Sequence, residues 1–141
     1  MRRNTLLFSL LTMTTTLTAA ASAHATKIRI TVDGQVISAT LADNPTTRDF
    51  IASLPLTLAL DDHAGTEKIA YLDRKLSTAG APPGATPTVG TIAYYAPWGN
   101  LAFFYKDFAY SPGLIPLGHI DAGVAALKRA GDVKVKIELA E

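Results

Sequence analysis

From residue 27 onward, apolar and polar side chains alternate along this chain with a period of two almost everywhere. Ile28, Ile30 and Val32 alternate with Lys27, Arg29 and Thr31, which predicts a half-buried strand over residues 27–32. Asp33-Gly34 is a strong hairpin dipeptide, so residues 35–41 should return beside the first strand. Leu56, Leu58 and Leu60 alternate as a third strand. Asp61-Asp62-His63-Ala64-Gly65 reads as a polar turn into a fourth strand over residues 68–72. At the end of the chain Val133, Val135, Ile137 and Leu139 alternate with Lys134, Lys136 and Glu138.

Two stretches break this period. Asn44 can cap a helix whose first position is Pro45, where no amide donor is needed. Phe50, Ile51 and Leu54 then face inward, and Pro55 stops the helix after about ten residues. Asp121 is placed to cap a second helix over residues 122–130, with Val124 and Leu127 inward and Gly131 at its end. Between these, residues 73–89 carry Gly80, Pro82, Pro83, Gly84 and Pro87 and read as a long surface loop. Residues 109–116 look irregular, with a short strand over 117–120.

The stretch 90–120 holds the only tryptophan, four of the five tyrosines and three of the five phenylalanines. Strand-like runs over residues 91–96 and 101–106 flank the turn Pro97-Trp98-Gly99-Asn100. In the second run Leu101, Phe103 and Tyr105 lie on one side and Ala102 and Phe104 on the other. Two apolar faces suit a central strand covered on both sides. Seven or eight strands with only two short helices give a mainly β protein, and near-continuous pairing favours a compact closed barrel over an open sheet.

Composition changes the picture at the N-terminus. Arg2 and Arg3, an apolar threonine-rich middle and the small residues Ala21-Ser22-Ala23 read as a signal peptide over residues 1–23, with Ala23-His24-Ala25 an alternative cleavage site after residue 25. The many threonines dilute this stretch below what a retained membrane helix needs. A periplasmic or secreted domain over residues 26–141, with no membrane association after cleavage, is therefore expected. Without residues 1–23 the chain has 118 residues, with 11 basic against 12 acidic side chains, so its formal charge moves from +1 to −1. No basic run remains to neutralise several phosphates, which argues against nucleic acid as a partner. Cysteine is absent, so the core alone must supply stability.

Candidate chemistry is sparse. No GxSxG, Walker loop, HExxH or GxGxxG pattern occurs, and there is no thiol nucleophile. No cofactor or metal is expected and no catalytic residue is assigned. Of the widely separated histidines, His24 could chelate copper only as a new amino terminus, and Asp61-Asp62 supply too few oxygens for calcium. Glu67 and Lys68 are neighbours on a strand and so point to opposite faces. Aromatic side chains with a polar tip in water are typical of ligand grooves, and the ligand-binding candidates are Trp98, Phe104, Lys106, Tyr110 and His119. Trp98, Tyr95 and Tyr110 also suit core or rim packing, and His119 suits a hydrogen-bonded histidine at a barrel rim.

The order of the segments LADNPTTRDFIASLPLTLAL, DDHAGTEKIAYL, VGTIAYYAPWGNLAFFYKDF and GLIPLGHIDAGVAAL resembles the small bacterial cyclophilin-like proteins over nearly the whole chain after residue 27. The resemblance implies a cyclophilin-type β-barrel and leaves the activity unassigned. Prolyl isomerases of the same fold use an arginine on a strand, an aromatic–glutamine pair, a tryptophan and a histidine. Here the only glutamine is Gln35 in the first hairpin, Arg74 sits beside a loop and Trp98 lies in a turn. The expected function is a non-catalytic module binding a peptide or small molecule. The alternative is a degenerate peptidyl-prolyl cis-trans isomerase, and a third is a redox accessory or small enzyme working with an unknown cofactor.

Overall fold

Eight antiparallel strands close on themselves in the computed structural model, which describes residues 24–141. In chain order the elements are β1 (Thr26–Val32), β2 (Gln35–Leu41), α1 (Pro45–Ile51), β3 (Leu56–His63), β4 (Glu67–Tyr71) and β5 (Gly84–Ala85). They continue with β6 (Thr91–Tyr95), β7 (Asn100–Phe104), β8 (Ser111–Pro112), β9 (Leu114–Ala122), a 3₁₀ turn (Val124–Leu127) and β10 (Val133–Leu139). Around the barrel the order is β1-β10-β3-β4-β7-β6-β9-β2, and β5 pairs with β8 in a separate two-stranded sheet. Closure leaves none of the eight with an unpaired edge. The signal-peptide expectation falls on residues 1–23, outside the described residues.

Local chemistry accounts for most of these elements. Asp33 and Gly34 both take positive φ, 47° and 78°, the geometry of a primed hairpin turn that matches the strand twist. It sets the β1–β2 register with Val32 opposite Gln35. Asn44 caps α1 by accepting from the Thr47 amide at 2.8 Å, and Pro45 stands at the first turn as expected. The helix is held by its buried side: Thr46 donates to the Ser77 carbonyl at 2.6 Å, and Phe50 enters the barrel core.

Strand β7 is buried at all five positions. Leu101 and Phe103 join the inner core with Ile30, Ile37, Leu60 and Ile137. Ala102 and Phe104 face the other way, into a smaller outer cluster with Ile69, Ala93 and Leu114. The two-sided apolar pattern is thus realised as a strand covered from inside and outside.

Five expectations need correction. Among the described residues there is one α-helix, not two: β9 runs on to Ala122, and the Asp121 carboxylate accepts from Thr40 Oγ1 (2.7 Å) and Lys27 Nζ (3.3 Å) instead of capping a helix. Gly123 then takes φ 92°, which no helix continues through, and only a 3₁₀ turn follows. β3 extends through Asp61-Asp62-His63, so the turn is shorter and centres on Ala64-Gly65. β9 begins at Leu114, inside the stretch expected to be irregular. Lys106 lies beyond the end of β7, and α1 spans seven residues where about ten were expected.

The β2–β9 seam completes the ring, and Gly118 is its tightest point. Gly118 stands opposite Leu41 on one side and Ile92 on the other. A Cβ there would lie 2.2 Å from the Thr40 carbonyl oxygen and 2.7 Å from Leu41 Cα, both backbone atoms that cannot swing aside. Gly118→Ala should therefore cost about 3 kcal/mol, the upper part of the overpacking range, read as a fall in urea midpoint. An unchanged midpoint would show that the seam has slack.

Candidate functional site: an aromatic cleft

The barrel wall around β7 carries the chemistry. Residues opposite one another on neighbouring strands share a face, so the register places side chains in rows. One row crosses β3, β4 and β7 as His63, Glu67 and Phe104. A second crosses β7, β6 and β9 as Asn100, Tyr95 and Leu114. Both rows face outward, opposite to Leu101 and Phe103. Above them lies a cleft of about 260 Å³ whose lining includes His63, Glu67, Tyr95, Trp98, Asn100 and Phe104. Phe108, Tyr110 and Ser111 close its far side.

Two structures set the walls. The turn after β6 lifts Trp98 over the cleft, where its ring meets His63 (centroids 5.6 Å, 88°) and Tyr95 (5.4 Å, 71°) edge-on, the favoured aromatic geometry. The opposite wall is the segment after β7, tied down by the β5–β8 pair and by the Gly113 amide donating to the Pro83 carbonyl at 2.8 Å. Gly84 permits that docking, because a Cβ there would lie 2.6 Å from the Ser111 carbonyl oxygen and 2.7 Å from Tyr110 Oη. The proline- and glycine-rich loop thus positions one side of the cleft.

Adjacent residues Glu67 and Lys68 point to opposite sides of the wall and meet opposite fates. Lys68 is fully buried, with Nζ donating to the carbonyls of Arg129 (2.5 Å) and Gly131 (2.9 Å) and lying 3.3 Å from Asp62 Oδ1. Tyr105 also donates to Asp62. This bond and the Lys68 ammonium hold the Asp62 carboxyl below its usual value, although burial opposes them. Burial, then the Asp62 carboxylate, pushes the Tyr105 phenol up to about 12. Glu67, on the cleft side, has its carboxyl raised by burial and by Asp62, with only partial relief from His63.

Of the five ligand-binding candidates, Trp98, Phe104 and Tyr110 come together in the cleft. Lys106 and His119 are exposed elsewhere. His119 sits on β9 with Nδ1 2.8 Å from the Ile120 carbonyl and Nε2 3.0 Å from that of Val89, packed over Gly90. Arg74 donates to Asp49 (backbone oxygen 3.0 Å, Oδ1 3.2 Å) and lines a different cleft with Tyr71 and Leu76. Gln35 remains in the first hairpin. The sequence reading left Tyr95 as core or rim packing, and missed Asn100 and Phe108 as lining residues and His63 because its strand was cut short. Tyr95 and Asn100 flank the Trp98 turn, and that proximity was the available signal.

The described residues thus form a closed eight-stranded antiparallel barrel with one short α-helix and a cleft on its outer wall. The family model described as the cyclophilin-like family matches residues 30–138, and the chain belongs to that family. No curated protein matches it. Among solved structures, the solution structure of the hypothetical protein AF2241 from Archaeoglobus fulgidus is similar, with a TM-score of 0.58 at 16% identity. The match covers 86% of this chain and 100% of that one. That likeness is one of fold.

The raised Glu67 carboxyl has a consequence for stability. A carboxyl whose folded pKa lies above its unfolded one favours the fold below the unfolded value, and that contribution is lost as pH rises through the folded value. Ionised Glu67 therefore weakens the fold at neutral pH. Glu67→Gln should melt at a higher temperature than the parent at about pH 7, and the difference should vanish by about pH 3.5. A lower melting temperature for Glu67→Gln at neutral pH would contradict the burial argument.

Proposed function

We propose that this protein is a non-enzymatic binding module that holds a peptide or small organic molecule in the aromatic cleft. The observation that carries this reading is the exposure of its walls: Trp98 is 52%, Phe108 50% and Tyr110 54% exposed above a buried apolar floor. Large apolar rings left in water around a concavity mark ligand sites. The cleft brings an imidazole and a carboxyl together, but among the described residues no arginine lines it. The isomerase alternative needs a guanidinium beside an apolar cradle, and Arg74 is engaged with Asp49 in another cleft. This supports binding over turnover.

Trp98 is the only tryptophan, so its fluorescence reports on the cleft directly. Titration with short peptides, including proline-containing ones, and with small aromatic molecules should shift or quench that emission saturably. Tyr110→Ala should weaken the response by about tenfold, as expected for loss of one aromatic wall. If nothing perturbs Trp98 or the melting temperature, the reading is wrong.

We also infer export to the periplasm or the medium, on the charge and small-residue pattern of residues 1–23. The intact mass of protein recovered from a bacterium expressing the full gene should correspond to a chain beginning at His24, or at Thr26 under the alternative cleavage. A mass retaining Met1 would count against export.

A further inference from the structure

The cleft has a polarity that its aromatic walls do not require. Glu67 enters it from β4, half-buried, and among the described residues its carboxylate is in no ion pair. The facing residue across the β3–β4 ladder is His63, whose ring stands edge-on to Trp98 and beyond ion-pair distance of Glu67. Among the described residues neither lysine nor arginine lines the cleft. Lys68, the nearest cation in sequence, points through the wall and is taken up by Arg129, Gly131 and Asp62.

Asn100, on the floor, has an unmet demand of the same sign. It is 1% exposed, and its Nδ2 donates to the Leu101 carbonyl at 3.0 Å, which fixes the orientation of the amide. Its Oδ1 is then the one buried side-chain polar atom among the described residues with no hydrogen-bond partner. Buried acceptors left without donors are rare and costly, so such an atom at a cleft floor points to a missing partner. The rings around it add to this bias, since aromatic faces attract cations.

Building on the binding reading above, we propose that the cleft selects a small organic ammonium. Its charge is set against the Glu67 carboxylate, its N–H is directed toward Asn100, and its apolar part lies among Trp98, Phe104 and Tyr110. An anionic ligand would place like charge beside a half-buried carboxylate and is disfavoured. A cleft of about 260 Å³ suits an arylalkylamine or a single lysine side chain.

The test uses three matched probes, phenethylamine, phenethyl alcohol and hydrocinnamate, followed by calorimetry and Trp98 fluorescence on the purified protein. The amine should bind at least about tenfold tighter than the alcohol, with hydrocinnamate weakest. In Glu67→Gln that advantage should fall below about twofold. Independently of any variant, added salt should weaken binding of the amine and leave the alcohol unaffected. An acetylated peptide with one lysine, compared with its norleucine counterpart, tells the source: a lysine advantage supports a peptide ligand, and binding of the free amine alone supports a metabolite. Equal binding of amine and alcohol, or tightest binding of hydrocinnamate, overturns the ammonium proposal and leaves the aromatic cleft a binding site. Failure of every probe and peptide to perturb Trp98 overturns both.

Discussion

The structure depends on β7 being buried on both of its faces. A strand in an ordinary antiparallel barrel turns one face to the core and the other to water. Here Leu101 and Phe103 help fill the barrel, while Ala102 and Phe104 present a second apolar surface to the outside. Burying one such aromatic side chain is worth about 2 kcal/mol, so that outer surface must be covered. The chain does so with the segment after β7, which folds back over the wall and is pinned by the β5–β8 pair. The cover is incomplete between Trp98 on one side and Phe108 and Tyr110 on the other. The cleft is the gap that remains, and its location follows from the two-faced strand.

The same wall shows how polar groups divide between architecture and recognition. Lys68 is a charge inside the protein, but two carbonyls and Asp62 surround its ammonium, so the cost of desolvation is offset by hydrogen bonds. Tyr105 completes the set by donating to Asp62. Those contacts tie the β3–β4 corner to the segment before β10, and the fold alone accounts for them. Glu67 and Asn100 are different. Among the described residues, one is a half-buried carboxylate in no ion pair, the other a buried amide oxygen with no donor, and neither does anything evident for the barrel. Groups that weaken a fold without repaying it within the fold are where function is to be sought.

Most of the barrel was legible because period two survives wherever a strand has one wet face: Ile28, Ile30 and Val32, or Val133, Val135 and Ile137, could be read directly. The second helix was misread because capping is a competition. Asp121 has the side chain for a cap, but Thr40 on β2 and Lys27 on β1, both far away in sequence, bind it first, and no local pattern reveals them. In the cleft, Trp98, Phe104 and Tyr110 were visible as aromatics, whereas His63 and Asn100 join them only through strand register. Register here is set by long-range pairing, such as Glu67 opposite Phe104, which a linear reading cannot supply. Lys106 and His119 lie outside the cleft: one falls past the strand end, and the other faces the Val89–Gly90 corner.

A barrel that persists at 16% identity is specified by pattern more than by particular residues. Alternation, a capped helix and a few glycines at points of close approach are enough to close it, which leaves the outer wall free to take different side chains. Arg74 illustrates this freedom. Its guanidinium spans from the loop after β4 to Asp49 on α1, where Asp49 also accepts from the Ser77 amide. Those two bonds, the Ser77 one above all, hold the Asp49 carboxyl below its ordinary value. The arginine thus braces the helix against the barrel, on a different part of the surface from the aromatic cleft. Fold membership and site chemistry are therefore separate matters in this chain. The first is carried by the strands, and the second by the few outward side chains of β4, β6 and β7 whose polar demands the protein itself leaves open.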